Sequence, residues 1–264
     1  MERSLLVTSS QIEWFLEYGW DYTERRLELL RSAVPFRFDH HGARQLWDVR
    51  RRMESVRGGT FEDVDAGVYR DPLYAVFQHV GQAFRNEVSG RLPFVLDTLS
   101  GMAREPDRVG DVGCGSGILL GDVLEAMPAA RGHGVDVSRT MLRHAARVMD
   151  VRGMRERAAF VASDMRRLPF AADSFDFLVA NEVLEHLPEP AGALREIRRV
   201  LRPGGFLSSS IPVGDDVPTH LCLFRTVDEV LDLHRATGFE VIRHRAVDVS
   251  PGIPDVMVAA RKRG

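Results

Sequence analysis

The run Asp111-Val112-Gly113-Cys114-Gly115-Ser116-Gly117 sets an acid and three glycines between a strand-like segment, Arg108 to Asp111, and a helical one, Ile118 to Met127. A strand, a glycine-dense turn and a helix N-terminus make a ligand-holding device. The turn removes side chains so that a ligand can touch backbone, and the first helical N–H groups point at negative charge. The glycines are spaced G-x-G-x-G. A dinucleotide fingerprint needs a small residue at position 118, where Ile118 stands, so the pattern argues against a nicotinamide cofactor. A second strand-like segment, Arg131 to Val137, ends in Asp136. An acid about twenty positions past such a turn can accept hydrogen bonds from both hydroxyls of a ribose. A third segment, Ala158 to Ala162, runs into Ser163-Asp164-Met165, and a fourth, Phe175 to Ala180, into Asn181-Glu182-Val183-Leu184-Glu185-His186-Leu187.

Two histidines stand where proton transfer is useful. His186 follows the fourth strand, on the carboxyl edge of the expected sheet where ligands bind, and His220 lies in the loop after the fifth. Either suits a base near neutral pH, and either also suits packing or capping of a short helix. Asp215 and Asp216 could bind a divalent metal that orients a catechol-like substrate, but adjacent acids in a loop are more often solvated, and no metal site is expected.

The order and spacing of these segments resemble the class I S-adenosylmethionine-dependent methyltransferases, from Arg108 to about Gly264. The glycine run resembles their motif I. Asn181 to Leu187 and Leu194-Arg195-Glu196-Ile197-Arg198-Arg199-Val200-Leu201-Arg202-Pro203-Gly204-Gly205 resemble the ubiquinone/menaquinone-biosynthesis-like (methyltransferase type 11) branch. The resemblance implies S-adenosyl-L-methionine as cofactor. It places Asp111, Gly113, Cys114, Gly115 and Gly117 under the methionine portion, Asp136 on the ribose, Asp164 on the adenine amino group and the Met165 backbone N–H at the ring. It extends the expected cofactor contacts to Val137, Met141, Ser163, Asn181 and Glu182. For Asp111 a second reading stands, as a brace of the glycine turn. Methyl transfer is an in-line displacement that requires a nucleophile held close and water excluded, with a base where the nucleophile must lose a proton.

The elements that must position these residues alternate from Arg108 onward, strand then helix, which implies α/β with a parallel doubly wound, Rossmann-like sheet. Seven strands with one antiparallel member, as the resembling family has, accommodate the pattern. Ser138 caps a helix through Met149, Ala191 to Leu201 is helical with Gly204 and Gly205 as its stop, and strand five is Phe206 to Ile211. Thr226 to Glu229 reads as a capping box, and the last strands as Phe239 to Ala246 and Val256 to Arg261. Ahead of them, residues 1–104 read as a helical cap or lid and 105–264 as the cofactor domain. Helices are expected over Ile12 to Ala33, His41 to Val56, Pro72 to Val88 and Arg91 to Met102, with an irregular connection from Gly58 to Val68.

All three tryptophans and all four tyrosines precede residue 75. Trp14, Tyr18 and Tyr22 follow one another at i, i+4 spacing, so the expected first helix presents them on one face toward an acceptor. Such aromatics also suit the small core of a helical cap. The 44% hydrophobic and 28% charged content is ordinary for a soluble domain. A net charge of −3 with no dense basic run argues against nucleic acid as substrate. No apolar run reaches membrane-spanning length, and Cys114 and Cys222 give neither a disulfide framework nor a zinc site, so a cytoplasmic location is expected. The expected activity is methyl transfer to O, N or C of a small, partly apolar or aromatic metabolite of specialised metabolism. The alternatives are use of the same cofactor for cyclisation or carboxymethyl transfer, and a non-catalytic cofactor-binding subunit. Oligomeric state is not legible.

Overall fold

The computed structural model describes residues 53–69, 90–250 and 253–263. The expected helices Ile12 to Ala33 and Pro72 to Val88, most of His41 to Val56, and Trp14, Tyr18 and Tyr22 lie outside the described residues.

Among the described residues seven strands form a single sheet: β1 (Arg108–Val112), β2 (Arg131–Asp136), β3 (Ala158–Ala162), β4 (Phe175–Asn181), β5 (Leu201–Pro212), β6 (Phe239–Ser250) and β7 (Ile253–Lys262). Their order is β3-β2-β1-β4-β5-β7-β6. The first five pair in parallel, and β7 runs antiparallel to both neighbours. The order reverses at β1 and β4, and such a switch point opens a crevice at the strands' carboxyl ends.

Central parallel strands are covered on both faces, so they read as unbroken apolar runs. In β4 every residue from Phe175 to Ala180 is buried. Alternate side chains serve opposite layers. Phe177 and Val179 join the core under α2 (Arg91–Ser100), α3 (Ile118–Ala126) and α4 (Arg139–Val151). Leu178 and Ala180 join the core under α5 (Pro190–Val200) and α6 (Val227–Ala236). Proline at the start of α5 suits a first turn whose N–H groups have no intrahelical partner. Ala193, Leu194, Ile197 and Val200 form its buried face.

Three local expectations need correction. Gly204 and Gly205 do not stop α5, which ends at Val200 before the chain turns straight into β5. Leu201 pairs with Phe175 and Phe206 with Phe177, so Arg202 to Gly205 loops out of the ladder. Gly204, at φ +76°, supplies the left-handed residue of that bulge instead of a helix cap. The Thr226 box is one-sided: its side chain accepts the Glu229 N–H, but the Glu229 carboxylate accepts from the Arg225 N–H. Residues 60–69 are not irregular. Thr60 and Asp63 make a reciprocal capping box for α1 (Phe61–Val64), which continues as a π-turn, Asp65–Tyr69, with Phe61, Val64 and Val68 buried.

Candidate active site

A cleft lies over the carboxyl ends of β1, β2, β3 and β4, open to solvent at its mouth. Its floor is the glycine turn, through Gly113 and Gly115. Val135, Asp136, Val137 and Ser138 follow from β2, Met141 from α4, Ser163 and Met165 from the end of β3. Glu182, Val183, His186 and Leu187 come from the end of β4, and Phe61 and Tyr69 close the cleft from α1 and its π-turn.

Glycine is required in the floor. Gly113, Gly115 and Gly117 all have positive φ, and a Cβ at Gly113 would stand 2.4 Å from the Val183 side chain. Gly113 and Cys114 donate to the Val135 carbonyl at 2.7 and 3.0 Å, which folds the turn back on β2. Gly113→Ala should cost at least about 2 kcal/mol, combining left-handed strain with overpacking. Denaturant titration checks it, and an unchanged midpoint would contradict the packing.

Asp136 fastens this turn from the other side. Its carboxylate accepts the Gly115 N–H at 2.9 Å and the Ser138 N–H at 2.8 Å. Burial pushes its pKa up to about 6 against those two donors, with Asp65 adding to the rise. Asp111 lies beneath the turn, buried, and burial with the nearby Asp136 charge pushes it up to about 7. Burial also drives the Cys114 thiol well up, so it remains a thiol.

Among the described residues that line the cleft, two are carboxylic acids, Asp136 and Glu182, and none is Lys or Arg. A pyrophosphate would find no cation there. A ligand that is cationic at its reacting end and free of phosphate fits, as does a ribose over Asp136, and apolar walls at Met141, Met165 and Phe61 suit a purine ring. That donor set fits S-adenosylmethionine. Of the expected cofactor contacts, Gly113, Gly115, Asp136, Val137, Met141, Ser163, Met165 and Glu182 line the cleft, whereas Asp111, Cys114, Gly117, Asp164 and Asn181 stand outside the lining. Asp164 is turned to Arg166, accepting its Nε at 2.8 Å and its Nη2 at 2.6 Å. That guanidinium also packs over the Phe61 ring at 4.7 Å, so α1 is tied to the end of β3.

At the opposite wall Glu182 sits at φ +47°, a strained position for a residue other than glycine. It is ion-paired to Arg91 of α2, which also gives its Nε to Asp255 of β7 at 2.6 Å. The chain then makes a 3-10 turn, Leu184–His186. His186 Nδ1 donates to the Thr219 carbonyl at 2.9 Å, and His220 Nδ1 donates to the Asp215 carbonyl at 2.7 Å. The two rings stand edge to face at 5.0 Å, and Tyr69 meets His186 edge-on at 5.8 Å. His186 reaches the cleft; His220 stands behind it. Asp216 faces away and pairs with Arg57 at 3.1 Å.

Sequence reasoning missed four contributors. Phe61 and Tyr69 fell in or beside the segment read as irregular, although T-F-E-D is a legible capping signature. Arg91 carried no local signal, and Glu185 stood inside a legible run without any sign of its isolation; the roles of both come from burial by distant segments.

Residues 110–209 match the family model described as a methyltransferase domain. Trans-aconitate 2-methyltransferase of Azoarcus sp. (strain BH72) is 36% identical over 116 residues, 44% of this chain and 43% of that protein. A Burkholderia thailandensis 1,6-didemethyltoxoflavin N1-methyltransferase, solved with its substrate and S-adenosylhomocysteine, superposes at TM-score 0.58 and 24% identity over 70% of this chain and 84% of the other. The [4+2]-cyclase SpnF superposes at TM-score 0.60 and 23% identity over 83% of this chain and 95% of the other. At those identities the structural likeness concerns the fold alone. The chain spans less than half the length of the curated relatives it matches.

Proposed function

We propose, from the premise that this chain carries a class I S-adenosylmethionine-dependent methyltransferase domain, that the protein methylates a small, partly apolar or aromatic metabolite at O, N or C. When bound, the cofactor supplies a methyl group on a sulfonium. The observation that carries the reading is the cleft itself, with carboxylates and no cation on its walls and Phe61 and Tyr69 over its mouth. Asp136 holds the ribose and keeps the glycine turn in place. Ser163 and Met165 flank the adenine, with Asp164 and Asn181 behind. Phe61 and Tyr69 exclude water from the reacting centre and give an apolar acceptor its contact area. His186, with His220 nearby, takes the proton from the acceptor's reacting oxygen or nitrogen or orients that atom. Residues 1–104 act as the acceptor-side cap, and Trp14, Tyr18 and Tyr22, outside the described residues, are taken as acceptor-binding residues. Nucleic acid is not the acceptor. No helix among the described residues is long and apolar enough to cross a membrane, and we place the protein in the cytoplasm.

Methyl-labelled cofactor incubated with the protein and extracts of its source should yield one labelled small molecule, located by mass spectrometry. His186→Ala should lower kcat by about 10²- to 10⁴-fold with cofactor affinity retained. A variant at full turnover would remove His186 from the reaction. A second reading is that the same fold uses the cofactor for another reaction, such as a cyclisation in which the bound cofactor is not consumed. Tight cofactor binding with no label in any product would favour that reading or a non-catalytic subunit over methyl transfer.

A further inference from the structure

We infer that Glu185, His186 and His220 form a site for one first-row divalent cation of the manganese, iron or zinc kind. Its open positions face the cleft and take an oxygen of the acceptor. The acceptor half of this inference rests on the methyl-transfer reading; the cation half does not.

The three side chains offer one carboxylate oxygen and two ring nitrogens, all within 4.8 Å of one another. Glu185 Oε1 lies 4.0 Å from His186 Nε2 and 4.0 Å from His220 Nε2. Metal–ligand bonds of about 2.0–2.1 Å leave ligand atoms about 3.0–3.4 Å apart, so side-chain rotations of roughly 1 Å close the set. The tautomers are fixed by chemistry. A carbonyl only accepts, so both Nδ1 atoms carry hydrogen and both neutral rings present an Nε2 lone pair. Imidazole oriented through its other nitrogen by a carbonyl is the usual outer arrangement of a metal site.

Glu185 is the second, independent observation. It is 1% exposed, and neither carboxylate oxygen has a hydrogen-bond partner. Leaving a buried carboxylate without a partner is costly, and a bound cation removes that cost. The backbone is built around the same residue: the Glu185 carbonyl accepts from Leu221 and Cys222 at 2.8 and 3.0 Å, which holds the loop bearing His220 against the 3-10 turn. Two histidines and one carboxylate leave positions free for exogenous ligands. His186 lines the cleft, whereas Glu185 and His220 do not, so an acceptor in the cleft reaches the cation on the His186 side. The chemical class so selected carries a phenol, hydroxyl or carboxylate oxygen. With the cation bound, His186 and His220 act as ligands and not as bases.

The test is equilibrium dialysis of the full chain, stripped with chelator, against Mn²⁺, Zn²⁺ and Co²⁺ separately, with bound metal measured by mass spectrometry. One ion per chain is expected for at least one of them, with Co²⁺ giving visible d–d absorption of a nitrogen-ligated site. Glu185→Gln and His220→Ala should each weaken binding at least tenfold, and His220→Asn serves where alanine disturbs the loop. Far-UV circular dichroism and S-adenosylmethionine affinity, both expected to hold, read folding apart from metal. Absence of stoichiometric binding, or binding undiminished in folded Glu185→Gln and His220 variants, would overturn the site. Because metal is measured without acceptor, a failure of methyl transfer with metal binding intact would count against the reaction and leave the site standing.

Discussion

Replacing Arg91 by alanine is expected to lower the unfolding free energy by about 3–5 kcal/mol. The side chain is 2% exposed and lies between Glu182 and Asp255, which is 0% exposed. Burial works against its charge, but Asp255 and then Glu182 outweigh burial and hold its pKa above the usual arginine range. Alanine withdraws a counter-charge from the buried Asp255 carboxylate and from Glu182 at the cleft wall. It also removes one tie on Glu182, whose left-handed backbone at φ +47° keeps its N–H bond to the Ser210 carbonyl at 2.9 Å. Urea titration followed by circular dichroism measures the loss. A loss under about 1 kcal/mol would place the guanidinium elsewhere in solution. The double variant Arg91→Leu with Asp255→Leu should recover part of the loss, because removing both charges removes the desolvation burden.

Asp136→Ala should weaken S-adenosylmethionine binding by about 10²- to 10⁴-fold, the loss of two hydrogen bonds to a charged carboxylate. The same change cuts the ties to Gly115 and Ser138. A pH arm separates ribose contact from turn support. Hydroxyl donors favour the ionised carboxylate, whose pKa stands at about 6 in the free protein. Affinity should therefore be flat above about pH 7 and fall as pH drops below 6, by up to tenfold per unit. Calorimetric Kd values from pH 5 to 8 check this. Stability should move the opposite way. Asp111 and Asp136 titrate near 7 and 6 when folded against 3.8 as the ordinary value, so the folded state holds their protons more tightly. Their contribution is fully present below about pH 4 and is lost as pH rises toward 7. A Kd independent of pH in the wild type would remove Asp136 from the ribose.

The parallel half of the sheet was readable because covered strands are short apolar runs between turn residues. Ala158 to Ala162 is β3 to the residue, and the other expected strands differ at their ends. The glycine turn was readable because backbone curvature at positive φ leaves a local signature. Long-range electrostatics leaves none. Arg91 and Asp255 are 164 positions apart and resemble any solvated pair until the fold buries them together. Glu185 was visible inside E-V-L-E-H, but its isolation depends on the loop from Thr219 to Cys222 folding over it. Gly204 misled for a related reason: a left-handed glycine serves a bulge as readily as a helix end, and only the pairing of Leu201 with Phe175 decides between them.

The central claim is that the cleft over β1, β2, β3 and β4 is built for S-adenosylmethionine. Thermal or denaturant unfolding of the full chain with and without the cofactor tests it most directly. S-adenosylmethionine, and its demethylated product, should each raise stability by about 2.7 kcal/mol at a hundredfold excess over Kd, and NAD should leave the transition unmoved. Equal stabilisation by NAD, or none by S-adenosylmethionine at millimolar concentration, would contradict the account.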